Sequence, residues 1–164
     1  ARRADGLGMR VIATRNSGRE GPSFVEKVGL PEDLLAFAAE ADVVVNAAPL
    51  TPATTGLFDA RFFAAMKPGG YFINVARGRS VVQADLVAAL RSGQLGGAGL
   101  DVTDPEPLPA GHPLWDMPNV IITPHIAGDS DRETERGWLL VAENLRRYVA
   151  GEPMLNVVDI ERGY

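Results

Sequence analysis

The sequence contains no cysteine, which excludes disulfide bonds, thiolate nucleophiles and zinc–thiolate sites. No apolar run approaches the roughly 20 residues of a membrane-spanning helix, and no signal peptide opens the chain. Positive charge is scarce, with 16 basic against 21 acidic residues, and the net charge of −5 provides no basic surface for nucleic acid. We therefore expect a cytoplasmic domain with no nucleic-acid or membrane partner. We also expect no metal site.

What the chain does contain is an alternation of apolar runs and helical patterns. Its 164 residues, 46% of them hydrophobic, suffice for one domain with a real core. Strands are predicted at 9–14, 42–46, 71–76, 97–102 and 120–124, and helices at 31–41, 59–67, 83–92 and 129–150, with residues 20–30 irregular. Asp59 is expected to cap the helix 59–67, and Asp129 or Ser130 the helix 129–150, which has an apolar face that includes Trp138. Strands that alternate with helices in short units predict an α/β fold, a doubly wound parallel sheet covered on both faces.

Three of the predicted strands run into a polar side chain: Arg77, Asp101 and His125. Each residue has an ordinary structural explanation, namely a solvated arginine, a turn aspartate or a satisfied histidine. Their common position is more informative, because the carboxyl ends of parallel strands are neighbours and form the edge where ligands bind in open α/β sheets. We therefore predict that the three side chains form one site.

The residue types in this site suit proton transfer. Histidine can donate or accept a proton near neutral pH, and a carboxylate such as Glu106 could pair with it. An arginine fork binds a substrate carboxylate bidentately. With no metal-ligand cluster or activated nucleophile in the sequence, the pattern favours proton transfer coupled to a cofactor. His112, in Gly111-His112-Pro113, is interpreted as structural.

Ordered motifs along the chain carry a family resemblance. They are residues 72–79, 85–90, 97–102, 106–108 and 119–128, together with Ala48-Pro49-Leu50-Thr51 and Asn156-Val157-Val158. With these motifs the chain resembles the NAD(P)-dependent D-isomer-specific 2-hydroxyacid dehydrogenase family. The resemblance implies a Rossmann-like, three-layer nucleotide-binding domain over residues 1–150 and a C-terminal segment, residues 151–164, that leads back towards a substrate domain.

The resemblance also implies residue roles. Arg77 would hold the substrate carboxylate and keto oxygen, and His125 would protonate the developing alkoxide as hydride arrives from the nicotinamide. Glu106 would pair with His125, and Asp101 would contact the nicotinamide side. The implied cofactor-binding residues are Thr14, Arg15, Asn16, Ala48, Pro49, Thr54, Val75, Ala76, Arg77, Asp101, His125, Ile126 and Ala127.

The end of the first strand departs from the NAD-binding pattern. An acidic residue there grips the ribose hydroxyls in NAD-binding members, whereas this chain has Arg15, which could pair with a 2′-phosphate. We therefore predict NADP as the preferred cofactor, with NAD as the alternative if Arg15 is only a solvated turn residue.

The Gly-x-Gly-x-x-Gly phosphate loop is also absent. Gly6 and Gly8 precede a strand instead of following one, and Val11 occupies the position of the third glycine. In the family the missing strand is central to the sheet, so we expect a gap in it and an N-terminal part outside this chain. Alone, these 164 residues are expected to be inactive.

The function that follows from the resemblance is reduction of a small 2-oxo acid, such as glyoxylate or hydroxypyruvate, by NADPH or NADH. A homodimer would form through this domain, with the loop 103–118 and the helix 59–67 as candidate contacts. The alternatives are a dinucleotide-sensing, corepressor-like binding module without catalysis, or a structural remnant that binds nothing.

Overall fold

The computed structural model describes residues 1–161 and confirms the α/β class. The strands are β1 (Ile12–Thr14), β2 (Lys27–Gly29), β3 (Val43–Asn46), β4 (Gly70–Asn74), β5 (Leu95–Leu100) and β6 (Val120–Ile122). The α-helices are α1 (Arg2–Gly6), α2 (Leu34–Glu40), α3 (Ala60–Ala65), α4 (Gln83–Arg91) and α5 (Glu133–Ala150). None of the helices within these residues has the length and apolarity to cross a bilayer.

The strands form two parallel sheets. β1 pairs with β2, and a second sheet has the order β3-β4-β5-β6. Within residues 1–161 no strand joins the two sheets, in agreement with the gap expected where the family has its central strand. Because every pairing is parallel, the carboxyl ends of β3 to β6 share one edge of the larger sheet.

The core lies under one face of the four-stranded sheet. Asp59 begins α3 by accepting a hydrogen bond from the main-chain N–H of Phe62 at 2.9 Å, as the sequence predicted. Phe62 and Phe63 then pack on Phe72 of β4, with ring centroids 6.2 Å and 5.3 Å from it in edge-to-face geometry. Phe72 is completely buried. This aromatic packing fixes the sheet against its helices and provides a rigid base for the loops at the carboxyl edge.

The opposite face of the same sheet is open within the described residues. Side chains alternate between the two faces of a strand, so Val43, Val45, Tyr71 and Ile121 point away from the core and are exposed. Helix α5 has the predicted apolar face, with Trp138 among its residues, but no residue of α5 is buried.

The structure corrects several predicted boundaries. Residues 27–29 form β2 although no periodic pattern marks them, because the strand owes its existence to pairing with β1. β4 ends at Asn74 and not at residue 76, since the Asn74 side chain accepts the hydrogen bond from the N–H of Ala76. Helix α5 begins only at Glu133 and has no side-chain cap, so the caps predicted at Asp129 or Ser130 are wrong.

Candidate active site

The pairing of His125 with Glu106 defines the candidate site. Nδ1 of His125 lies 2.5 Å from Oε1 of Glu106, and both side chains are partly exposed. His125 follows β6, whereas Glu106 lies in the proline-rich loop after β5. A carboxylate on Nδ1 fixes the ring orientation and leaves Nε2 as the nitrogen that can exchange a proton with a bound molecule.

His125 has a left-handed backbone, with φ of 57°. This conformation is unfavourable for a residue with a Cβ, so hydrogen bonds must hold it. The His125 N–H donates to the carbonyl oxygens of Asp101 and Thr123, both at 3.0 Å. The strained residue is therefore anchored to the end of the neighbouring strand β5.

Asp101 provides the rest of that anchor. Its buried carboxylate accepts hydrogen bonds from the Thr123 hydroxyl at 2.5 Å and from the N–H groups of Ile126 and Ala127, each at 2.9 Å. Burial by itself would raise the pKa of Asp101, but these three hydrogen bonds outweigh burial and hold the pKa below its ordinary value. Asp101 therefore organises the His125 loop, and its predicted contact with a nicotinamide stays a prediction.

Arg77 lies at the same edge, three residues beyond the end of β4. Its side chain is exposed, and Nη1 donates to the carbonyl oxygen of Ala76 at 2.7 Å. The guanidinium is otherwise turned towards solvent, with donors available for an anionic ligand.

A buried polar cluster beneath Arg77 was not predicted from the sequence. Asn46 and Asn74 are the last residues of β3 and β4, and Nδ2 of Asn46 donates to Oδ1 of Asn74 at 3.0 Å and to the Ser80 hydroxyl at 2.7 Å. The Arg77 carbonyl oxygen accepts from Nδ2 of Asn74 at 3.0 Å and from the Ser80 hydroxyl at 2.7 Å. The sequence feature that could have predicted this cluster is an asparagine at the end of each of two neighbouring apolar strands. A polar side chain buried there needs hydrogen-bond partners.

Gly78 brings the arginine loop against the loop that carries Glu106. A Cβ at Gly78 would lie 1.9 Å from the carbonyl oxygen of Thr103, closer than any real contact. Only glycine permits this approach, which places the loops after β4 and β5 side by side.

Arg15, predicted to select the cofactor, lies directly after β1. Its Nε and Nη2 donate to the Ser17 hydroxyl at 3.0 Å and 2.6 Å, and Nη1 donates to the carbonyl oxygen of Glu20 at 3.0 Å. The guanidinium is exposed but held in place by its own turn. Thr14 ends β1, and Asn16 lies within the turn.

The other predicted cofactor residues lie on loops after β3, β4 and β6. The N–H of Ala48 donates to Oδ1 of Asn46 at 3.1 Å, and the Thr54 hydroxyl donates to the carbonyl oxygen of Pro49 at 2.7 Å. Ala76 is buried, whereas Val75 and Ile126 expose 40% and 48% of their surface. Exposed aliphatic side chains at this edge could pack on a flat ring.

Neither His112 nor a metal cluster adds to the site. Nδ1 of His112 accepts from the Leu114 N–H at 3.3 Å and the other ring nitrogen lies 3.2 Å from Nε2 of Gln83, in agreement with a structural role. Across residues 1–161 no group of three or more histidine or acidic side chains is arranged to hold a metal ion.

Comparison with known proteins relates this arrangement to a family. Residues 1–127 match the family model for the NAD binding domain of D-isomer specific 2-hydroxyacid dehydrogenases. The human protein named glyoxylate reductase/hydroxypyruvate reductase is 48% identical over 129 residues, which are 79% of this chain and 38% of that protein.

Two crystal structures are also similar. An NADPH-dependent glyoxylate/hydroxypyruvate reductase from Sinorhizobium meliloti, in complex with NADP and sulfate, has a TM-score of 0.89 and 40% identity, covering 100% of this chain and 52% of that one. A D-isomer specific 2-hydroxyacid dehydrogenase from Xanthobacter autotrophicus Py2, in complex with NADPH and MES, has a TM-score of 0.82 and 38% identity, covering 99% of this chain and 81% of that one.

The match to the family model covers most of the chain, while the chain spans about half or less of the curated relatives that it matches first. The chain thus belongs to the D-isomer specific 2-hydroxyacid dehydrogenase family, of which it carries the NAD-binding domain.

Proposed function

We propose that this chain is the nucleotide-binding part of a reductase that converts a small 2-oxo acid, such as glyoxylate or hydroxypyruvate, to the 2-hydroxy acid with NADPH. The observation that carries the proposal is the His125–Glu106 pair, 2.5 Å apart at the edge of the sheet where Arg77 also lies. The names of the human and Sinorhizobium meliloti relatives support the substrate class.

Each side chain has one task in this reaction. Arg77 binds the carboxylate of the 2-oxo acid through its guanidinium fork and orients the keto group. His125 gives the proton on Nε2 to the keto oxygen as it becomes a hydroxyl. Glu106 holds Nδ1, so that the ring keeps its orientation while its charge changes.

The residues present fit a dinucleotide. Val75, directly after β4, and Ile126, next to His125 in the chain, offer exposed aliphatic surface. Ala48 and Pro49 follow the end of β3 at the same edge of the sheet. A bound NADPH supplies the hydride. We propose that Thr14, Asn16, Thr54, Ala76 and Ala127 complete the groove around the cofactor, with Asp101 below the nicotinamide half.

We further propose that NADP is preferred over NAD. Arg15 is at the end of β1, where an acidic residue would otherwise bind the ribose hydroxyls, and its guanidinium is positive, exposed and held by Ser17. The complexes of the two bacterial relatives with NADP and NADPH support this preference.

The decisive experiment uses the complete gene product. Consumption of NADPH is followed by absorbance with glyoxylate, hydroxypyruvate and other 2-oxo acids, for the unmodified protein and for His125→Asn and His112→Asn. We expect His125→Asn to lower kcat about 10²- to 10⁴-fold, because general acid catalysis is lost. His112→Asn, which replaces a structural histidine, should leave kcat nearly unchanged. No consumption of NADPH by the unmodified protein with any 2-oxo acid would refute the proposal.

Three further properties belong to the same proposal. Residues 1–150 would form the nucleotide-binding domain, and residues 151–164, of which 162–164 lie outside the described part, would lead towards a substrate domain.

A homodimer would form through the loop 103–118, where Trp115 is exposed, and the segment 59–67. The protein would be cytoplasmic. Light scattering of the complete gene product tests the dimer.

The alternative of a dinucleotide-sensing binding module is not favoured. The relatives described above are named as reductases or dehydrogenases, and this chain retains all three of Arg77, Glu106 and His125. A module without catalysis would have no need of the His125–Glu106 pair.

A further inference from the structure

We propose that Asn46, Asn74 and Ser80 form a buried positioning unit that holds the backbone of Arg77 in place for substrate binding and also anchors the loop after β3. The inference rests on the proposed function, since it assigns these three residues to the binding of the 2-oxo acid without any contact to it. They touch neither substrate nor cofactor in this scheme and act only through Arg77 and Ala48.

The three side chains are almost entirely inaccessible, with exposures of 2%, 1% and 2%. Burying polar groups costs free energy unless each finds a partner, and a core of apolar residues would avoid that cost. All of the buried side-chain polar atoms within the described residues have partners. A fully satisfied cluster of this kind specifies one arrangement of the backbone around it.

That arrangement is centred on the carbonyl oxygen of Arg77. Two side-chain donors converge on this atom, Nδ2 of Asn74 at 3.0 Å and the Ser80 hydroxyl at 2.7 Å, and the main-chain N–H of Ser80 donates to it at 3.3 Å. Meanwhile Oδ1 of Asn74 accepts the N–H of Ala76 at 3.1 Å. The backbone of Ala76 and Arg77 is thus held from below at the Ala76 N–H and at the Arg77 carbonyl oxygen. Among residues 1–161 the Arg77 side chain itself makes only one hydrogen bond, to the carbonyl oxygen of Ala76.

Asn46 links this anchor to the next loop. Its Nδ2 donates to Asn74 and Ser80, and its Oδ1 accepts the N–H of Ala48 at 3.1 Å. One side chain therefore connects the loop proposed to line the cofactor groove with the loop proposed to bind substrate.

Gly78 limits the arginine loop on its outer side. An added Cβ at Gly78 would lie 1.9 Å from the Thr103 carbonyl oxygen, so the main chain of the arginine loop lies directly against the loop after β5. The arginine loop is thus bounded by the buried cluster below and by the Thr103 backbone beside it.

The test is the Ser80→Ala variant of the complete gene product. This variant removes one of the two side-chain donors to the Arg77 carbonyl and keeps the main-chain N–H of Ser80, and we expect KM for glyoxylate to rise about threefold to tenfold, the effect of one hydrogen bond. The dissociation constant of NADPH should stay within about twofold, because Asn46 still holds Ala48. Ser80→Cys replaces the hydroxyl by a slightly larger thiol that is a weaker donor, and it should change KM in the same direction. It provides the measurement if Ser80→Ala does not fold.

A matched control and a double-variant cycle separate positioning from stability. Ser92→Ala removes a similar hydroxyl-to-carbonyl bond at the end of α4, where it should leave KM unchanged. In an Arg77→Ala background the Ser80→Ala change should no longer alter KM, because no guanidinium remains to be misplaced. An unchanged KM in Ser80→Ala and Ser80→Cys, or an equal effect in both backgrounds, would overturn the inference. Inactivity of the unmodified protein would instead refute the proposed function.

Discussion

The carboxylate of Glu106 lies 2.5 Å from Nδ1 of His125, although 19 positions separate the two residues in the chain. The pair joins the proline-rich loop after β5 to the loop after β6, and neither side chain is buried. Exposed ion pairs contribute little to stability. The pair is therefore better explained by the orientation of the imidazole than by the folding of the domain.

Glu106→Gln tests this explanation. The amide keeps the size of the side chain but not its negative charge, and it holds Nδ1 of His125 less firmly. We therefore expect kcat for glyoxylate to fall about 10²-fold with little change in unfolding temperature. Steady-state kinetics and thermal unfolding of the complete gene product provide the measurement. Glu133→Gln, at the start of α5, is the control for removing one exposed carboxylate. Equal kcat values for Glu106→Gln and the unmodified enzyme would contradict the role of the pair.

Arg15→Asp should reverse the cofactor preference. The substitution removes the proposed partner of the 2′-phosphate and places there an acid that repels it, so kcat/KM for NADPH should fall about tenfold or more while that for NADH rises. The ratio of the two constants is the measured quantity. Arg91→Asp makes the same charge change at the end of α4 and should leave the ratio as it is. A constant ratio in Arg15→Asp would show that Arg15 does not select the cofactor.

Gly78→Ala should destabilise the domain by about 2 kcal/mol or more, because its Cβ would lie 1.9 Å from the Thr103 carbonyl oxygen and the backbone must move. Urea unfolding followed by tryptophan fluorescence measures the change. Gly137→Ala is the matched control, since an added Cβ meets nothing within 4 Å on α5 and alanine favours a helix by up to about 1 kcal/mol. A Gly78→Ala variant as stable as the unmodified protein would show that the two loops are not in the close contact described.

Asp101→Asn should destabilise the His125 loop in a pH-dependent way. Because hydrogen bonds hold the pKa of Asp101 below its ordinary value of 3.8, the charged carboxylate contributes stability that is fully present above that value. This contribution is lost as the pH falls through the lower value of the folded state. At neutral pH the free energy of unfolding of the unmodified protein should exceed that of Asp101→Asn by about 2 kcal/mol. This difference should shrink only below about pH 4.

Urea unfolding at a series of pH values provides this comparison. The control is Asp116→Asn, in the turn after His112, since the part of the chain that the structure describes shows no such set of hydrogen bonds to Asp116. A difference between Asp101→Asn and the unmodified protein that grows as the pH falls would have the wrong sign and would refute the assignment.

Several elements were accessible from the sequence because their signals are local. Asp59 begins a helix because its side chain can reach the N–H of Phe62 within the same turn. The apolar runs of β3 to β6 are strands that are buried on at least one face, and parallel strands place their carboxyl ends together. The prediction that Arg77, Asp101 and His125 share one edge followed from that geometry and from the family motifs.

Other features depended on contacts between distant segments. β2 has no periodic pattern and exists through pairing with β1. The late start of α5 at Glu133 and the early end of β4 at Asn74 depend on which hydrogen bonds the main-chain groups form at each boundary. A sequence pattern does not distinguish between alternative hydrogen-bond partners of similar strength, so the exact end of a helix or strand is not predicted.

What the sequence alone determined is the family, the parallel α/β architecture and the residues able to transfer a proton or bind a carboxylate, since these depend on residue type and order. Only the tertiary structure decided how those residues are held: Asp101 as the anchor of the His125 loop, and Asn46, Asn74 and Ser80 beneath Arg77. The physical reason is that a buried polar group needs a hydrogen-bond partner, and that partner can come from a segment far away in the sequence. Such a pairing cannot be recognised from the residues around either partner.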